Sequence, residues 1–288
     1  METAVEIKEV SKSYGAHQVL CGLSFSVKRG EIFAILGANG AGKTTTLECI
    51  EGIRKYEQGE INVRGKIGVQ LQSSSLPKHI KAIEAMQLFA KWNGSEPDAD
   101  RLERLGVTAF QRKMYKELST GQKRRLHLAI AMLGNPDIVI LDEPTAGLDV
   151  EGRTALHTEI RSMKAQGKTI LLASHDMSEV EQLCDRIAIL KDGTAAFIGT
   201  SGDLTSRWQT DHRIYMRLSD PLHTTGLKHC AYQTAEQGYF VFQAENLTNA
   251  LSELSGEAQK QSVSILDVKV ERASLEQSFM DIAQEGKS

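Results

Sequence analysis

The chain has 288 residues, 41% of them hydrophobic, with 34 Lys and Arg against 37 Asp and Glu for a formal net charge of −3. That length fits one large domain plus a small one, with enough apolar material for a core that needs no disulfide or metal staple. The slight acidic balance argues against a general polyanion binder, because nucleic-acid-binding domains carry a basic excess.

In chain order, AVEIKEV and QVLCGLSFSV alternate apolar and polar residues, as an antiparallel sheet with one wet face would. EIFAIL (31–36) is a short apolar run ended by Gly37 and reads as a buried strand, with a helix from near Gly42 through Leu47 and Ile50. Strand signals then vanish between 79 and 133, which predicts a helical insertion in which LPKHIKAIEAMQLFAKW (76–92) sets Ile80, Ile83, Met86, Leu88 and Phe89 mainly along one side. Strands follow at DIVILD (137–142), KTILLAS (168–174) and RIAILK (186–191), with helices over 119–134, 150–166 and 176–184. Strand-then-helix alternation of this kind gives a mostly parallel sheet with helices on its faces.

Past Ser206 the character changes. HRIYMRLS (212–219), YFVFQ (239–243) and SVSILDVKV (262–270) read as strands, with a helix over Leu247–Leu254. Ser274 and Gln277 form a capping-box pattern that opens a last amphipathic helix through Leu275, Phe279 and Ile282. The domains expected are therefore 1–206, with a helical subdomain over about 73–134, and a small α+β domain over 207–288.

Cys21, Cys49, Cys184 and Cys230 are scattered, with no CxxC or Cys/His cluster, and read as small hydrophobes in a reducing compartment. METAVEIKEV lacks an apolar signal region, and no run approaches the roughly 18–20 apolar residues that span a bilayer. The expectation is a cytoplasmic chain whose membrane attachment comes through a partner.

Gly37-Ala38-Asn39-Gly40-Ala41-Gly42-Lys43-Thr44-Thr45 fits G-x-x-x-x-G-K-[ST] between a predicted strand and a predicted helix. Glycines let backbone N–H groups crowd around phosphate oxygens, and the helix N-terminus adds its positive dipole. Lys43 can reach the β and γ phosphates, and Thr44 can place its hydroxyl on Mg²⁺. A glycine-rich turn without a ligand is the bland alternative, and the flanking strand and helix argue against it. In DIVILDEPTAGLD (137–149), a buried strand delivers Asp142 to its end, where an acid can hold Mg²⁺ directly or through water. Glu143 should point to the other side of the pleat and can polarise the attacking water as general base. Pro144 ends the strand, and AGLD forms a turn carrying Asp149.

LSTGQKRRL (118–126) decides the class. Ser119 is a good N-cap and Gly121 permits close backbone approach at a helix start. With the two motifs above, this segment resembles the signature of the ABC ATPases, usually seen as LSGGQ. The resemblance covers roughly residues 3–205 and implies a P-loop α/β fold with a mostly parallel core sheet, an antiparallel N-terminal subdomain and a helical insertion. It also implies ATP and Mg²⁺ as ligands, with Ser119, Thr120, Gly121 and Gln122 closing on ATP held by a second ATPase subunit, most simply in a homodimer. By the same resemblance Tyr14 stacks on adenine, Gln72 senses Mg²⁺ and the attacking water, Asp149 is a dimer contact, and His175 meets the γ-phosphate. Gln70 is a rival for the glutamine role that family spacing gives to Gln72. Thr120 departs from the family pattern, standing where glycine is commonest and adding a β-branched side chain near the phosphates.

Three classes carry such cassettes: transporter subunits, soluble translation-factor ATPases and DNA-maintenance ATPases. The second carries two cassettes per chain, and this sequence has one of each motif. The third inserts a long coiled coil, whereas Gln72 and Leu118 are separated by only 45 residues (118 − 72 − 1). The reading favoured is a subunit that powers separate integral membrane permease chains, with no nucleic acid as partner; a soluble ATPase acting on a ribosomal or DNA-associated partner is the alternative. EIKEVSKSYG and DVKVERASLEQSFMDIA are similar to the ATPase subunits of ABC-2-type exporters, whose small C-terminal domain serves regulation or dimerisation.

Overall fold

The computed structural model describes residues 2–70, 76–208, 212–222, 224 and 226–271. Gln72 and the expected last helix, with Ser274, Leu275, Gln277, Phe279 and Ile282, lie outside them. The chain forms two compact units, Met1–Thr200 and Ser201–Ser288, dividing just ahead of the change in sequence character near Ser206.

The first unit begins with two long strands, β1 (Thr3–Tyr14) and β2 (His17–Lys28), followed by β3 (Ile32–Gly37), α1 (Lys43–Ile50), β4 (Gln58–Val63) and β5 (Ile67–Gln70). The helical insertion holds α2 (Ala82–Trp92), α3 (Ala99–Arg104) and, after two short 3₁₀ turns, α4 (Thr120–Ala131). Then come β6 (Ile138–Asp142), α5 (Val150–Ala165), β7 (Thr169–Ala173), α6 (Met177–Leu183), β8 (Arg186–Lys191) and β9 (Thr194–Gly199).

Two sheets result. The first, in the order β2-β1-β4, is antiparallel throughout. The second runs β5-β6-β7-β3-β8-β9 and is parallel except where β9 pairs antiparallel with β8. Every residue of β3, β6 and β7 is buried, as expected of parallel strands covered on both faces. Side-chain alternation splits β6 between two cores. Ile138 and Ile140 pack with Leu47, Ile50 and the antiparallel sheet, whereas Val139 and Leu141 pack with Met86, Leu126 and Leu156 from the helices. Each such aliphatic side chain contributes about 1.5–3 kcal/mol by burial. Because β3, β6 and β7 are parallel neighbours, the loops that follow them leave the sheet at one edge, the place where α/β sheets hold ligands.

The insertion differs from its expected stripe. The buried line of α2 is Ala82, Ala85, Met86 and Ala90; Leu88 is 54% exposed, and Ile83 and Phe89 are only half-buried. Met86 and the alanines enter the core, Ile80 and Phe89 pack against its margin, and Leu88 alone of the expected stripe faces outward. Among the described residues, no helix is long and apolar enough to cross a membrane.

The second unit comprises α7 (Ser201–Trp208), β10 (His212–Leu218), β11 (Ala231–Glu236), β12 (Tyr239–Ala244), α8 (Leu247–Lys260) and β13 (Ile265–Glu271). Its antiparallel sheet runs β11-β12-β10-β13, and α8 lays Ala250, Leu254 and Ala258 on Ile214, Met216 and Phe242.

Candidate functional site

The loop after β3 is tight at Gly37 and Gly42, where there is no room for a side chain. A β-carbon on Gly37 would lie 2.8 Å from both the Ala41 β-carbon and the Leu190 carbonyl oxygen. Gly42 sits at φ +99°, and a β-carbon there would come within 2.7 Å of Leu20. It opens α1 without a side-chain cap, and the first N–H groups of a helix have no intrahelical partner, as an anion site requires. Lys43 is buried and lies across this cradle, donating from Nζ to the carbonyls of Gly37 at 2.7 Å and Ala38 at 3.3 Å.

One residue on, the Thr44 hydroxyl donates to Asp142 Oδ2 at 3.1 Å, tying the start of α1 to the end of β6. Burial pushes the Asp142 carboxyl up; the charge of Glu143 adds to that, while the Thr44 hydrogen bond and Lys43 oppose it. The pair sets two hard oxygen donors side by side, a buried carboxylate and an exposed hydroxyl, which suits Mg²⁺ completed by phosphate oxygens and water. Among the described residues no group of three or more His, Cys, Asp or Glu could hold a metal without such help.

Glu143 is placed differently from the pleat argument. Strand β6 ends at Asp142, and Glu143 takes a left-handed backbone at φ +49°, with its N–H bonded to the Ala173 carbonyl at 2.9 Å. A non-glycine residue held there carries strain of order 1–3 kcal/mol and occurs where surrounding structure fixes it. The turn brings Glu143 Oε2 within 2.7 Å of His175 Nδ1, in the loop after β7. Glu143 is buried while the His175 side chain is 70% exposed, so the pair spans from the sheet edge to solvent.

A second cluster forms where α4 and α5 begin. Ser119 Oγ accepts from the Gln122 N–H at 3.2 Å, and Gln122 Oε1 accepts from the Ser119 N–H at 3.1 Å, a reciprocal cap. Asp149 caps α5 by accepting from the Gly152 N–H at 2.8 Å. Ser119, Thr120, Gly121, Gly147 and Asp149 line one open groove of about 530 Å³. Thr120 fits because Gly147 faces it: a β-carbon on Gly147 would be 3.2 Å from the Thr120 methyl. Of the basic residues after the cap, Lys123 lies 5.0 Å over the Tyr115 ring, and Arg125 bonds the Leu105 carbonyl at 3.2 Å. Tyr14, at the end of β1, is 42% exposed and has Lys12 and Arg54 each 5.4 Å from its ring centroid.

The residues singled out from the sequence thus gather in three places: Gly37–Thr45 with Asp142, Glu143 and His175 at the sheet edge, Ser119–Gln122 with Asp149 around the groove, and Tyr14 at a strand end. The rival Gln70 closes β5 fully buried, and among the described residues neither of its amide atoms has a hydrogen-bond partner. Sequence reasoning passed over Ser174, Glu179 and His157, a buried polar chain behind His175. Only the acid at 179, on the apolar side of a predicted helix, hinted at it.

A sequence model of the family described as ABC transporter matches residues 20–146. The chain is 40% identical over 210 residues to a Nod factor export ATP-binding protein I of Paraburkholderia xenovorans, covering 67% of this chain and 69% of that one. It is 30% identical over 303 residues to the linearmycin resistance ATP-binding protein of Bacillus subtilis, covering 96% of this chain and 97% of that one, the second unit included. Among solved structures, a dimeric bacterial ABC transporter cassette superposes with a TM-score of 0.62 at 25% identity, over 68% of this chain and 98% of the cassette.

Proposed function

The chain belongs to the ABC transporter family as an ATP-binding subunit, and from that premise we propose that two copies close around two ATP molecules and drive an export permease carried on separate chains. The observation that carries the reading is the meeting of Thr44 with Asp142 and of Glu143 with His175 along one sheet edge, directly beside the phosphate loop.

In this reading the α1 N-terminus and Lys43 take the β and γ phosphates, with Lys43 exchanging its loop carbonyls for phosphate oxygens. Thr44 and Asp142 would hold Mg²⁺, which supplies charge neutralisation on the phosphate oxygens when bound. Glu143 accepts a proton from water as the water oxygen attacks the γ-phosphorus, and the bond to the ADP oxygen breaks. His175 orients the Glu143 carboxylate and faces the γ-phosphate. Tyr14 stacks on the adenine, Gln72 reports on the metal and the water, and Ser119–Gln122 with Asp149 of the other copy close the pocket.

Export, rather than import, is supported by the relative named for Nod factor export. The resulting place is the inner face of the cell membrane, held there by the permease. The test is capture from detergent-solubilised native membranes by the Glu143→Gln chain with ATP, the bound chains being identified by mass spectrometry. Recovery of a multi-span membrane protein is expected; recovery of ribosomal or DNA-bound proteins alone would overturn the transport reading and leave the ATPase standing.

A further inference from the structure

The turn that carries His175 rests on a buried polar chain that the hydrolytic steps above do not use. Ser174, 1% exposed, donates its hydroxyl to Glu179 Oε2 at 2.6 Å and accepts the Asp176 N–H at 3.1 Å. The second bond closes a small ring around the His175 backbone, so the hydroxyl sets where that residue sits. Glu179 is 1% exposed and turns its other oxygen to His157 Nε2 at 3.3 Å; His157, on α5, is 6% exposed. Asp176 adds an outer fastening, capping α6 through Oδ1 and accepting from Arg153 Nη1 at 2.9 Å.

The two fastenings are not equal. The Arg153–Asp176 pair is partly exposed, and such pairs contribute little. A carboxylate as buried as that of Glu179, 1% exposed, is costly unless its partners are all in place. Glu179 has them: one oxygen for Ser174, one for His157. An apolar residue would fill the same space without that cost, so what the carboxylate adds is a fixed direction for the Ser174 hydroxyl, and with it for His175.

We propose that Glu179 is a positioning residue for hydrolysis, held by His157 and acting through Ser174 on the turn that sets His175 against Glu143. The inference rests on the reading of Glu143 and His175 as the hydrolytic pair. A purely structural role would lower stability and every activity together; a positioning role slows turnover at unchanged ATP affinity.

The experiment measures kcat and the ATP Kd for Glu179→Leu, Glu179→Gln and Ser174→Ala, with Glu143→Gln alongside. Glu179→Leu and Ser174→Ala should each lower kcat about tenfold or more, with the Kd within about twofold of the parent. Glu179→Gln keeps an oxygen for the Ser174 hydroxyl and should return to within about threefold of the parent kcat. Should Glu179→Leu fail to fold, the Ser174→Ala and Glu179→Gln pair decides. Unchanged kcat in Ser174→Ala, a parallel loss of ATP affinity, or a Gln variant that is no better than the Leu variant overturns the proposal. Glu143→Gln separates the layers: turnover near the parent rate would remove the hydrolytic reading itself. An inactive Glu143→Gln beside a fully active Ser174→Ala would remove the role of Glu179 alone.

Discussion

At the sheet edge the polar side chains reach across to other segments: Lys43 to the loop carbonyls, Thr44 to Asp142, Glu143 to His175. Around the groove where α4 and α5 begin, the side chains of Ser119 and Asp149 instead bond, among the described residues, the first turns of their own helices. The groove stands open, and the helix start leaves further N–H groups without an intrahelical partner. The contrast is between a region organised to do chemistry and a region organised to receive something. In the reading proposed here, what the groove receives is the ATP held by a second copy, so each chain carries two halves of two different sites.

Substitutions at the two regions should then fail in different ways. The largest effect is expected for Glu143→Gln, with turnover down by about 10²–10⁴-fold and ATP-driven dimerisation kept, read by phosphate release and light scattering. Lys43→Ala comes next: ATP affinity should fall by about ten- to a hundredfold, measured by calorimetry, and no ATP-driven dimer should form. On the groove side, Gly147→Ala places a β-carbon 3.2 Å from the Thr120 methyl at φ +75°. It should cost about 1–2 kcal/mol of stability in urea unfolding and weaken closure while monomer affinity for ATP is unchanged.

The smallest effect concerns Glu51, just past α1. Burial pushes its carboxyl up from an ordinary 4.5 to about 7, with the charges of Glu48 and Asp142 adding to the shift. A carboxyl whose pKa is raised by folding binds its proton more tightly in the native state. Its contribution is therefore full below about pH 4.5 and is lost as pH rises toward about 7. Discounted for partial exposure, the loss is about 1 kcal/mol. Glu51→Gln should flatten that part of the stability curve between pH 5 and 8, and an unchanged slope would remove the assignment.

How far the sequence foretold these regions depends on what kind of signal each part carries. Strands β3, β6, β7 and β8 were legible because parallel strands buried on both faces are unbroken apolar runs. Strands β4, β9 and β11 were not: QGEINV, TAAFIG and AYQTAE lie at sheet edges, where exposure removes the alternation that marks a strand. The phosphate loop and the α4 cap were legible because their chemistry is local, with donors and acceptors within a few residues. The Glu143–His175 contact depends on a left-handed backbone after β6, which no local pattern announces. The chain from His157 through Glu179 to Ser174 joins three elements and becomes visible only when α5 and α6 are packed on β7.

The most direct test of the split-site account mixes two inactive chains. Lys43→Ala spoils the phosphate loop, and Ser119→Arg blocks the groove. In a mixed dimer one site keeps an intact loop from one chain and an intact groove from the other. With random pairing, half of the dimers are mixed and each holds one sound site of two, so ATPase activity of about a quarter of the parent level should return. A mixture no more active than its two components would contradict the account and place both regions of a single chain on the same nucleotide.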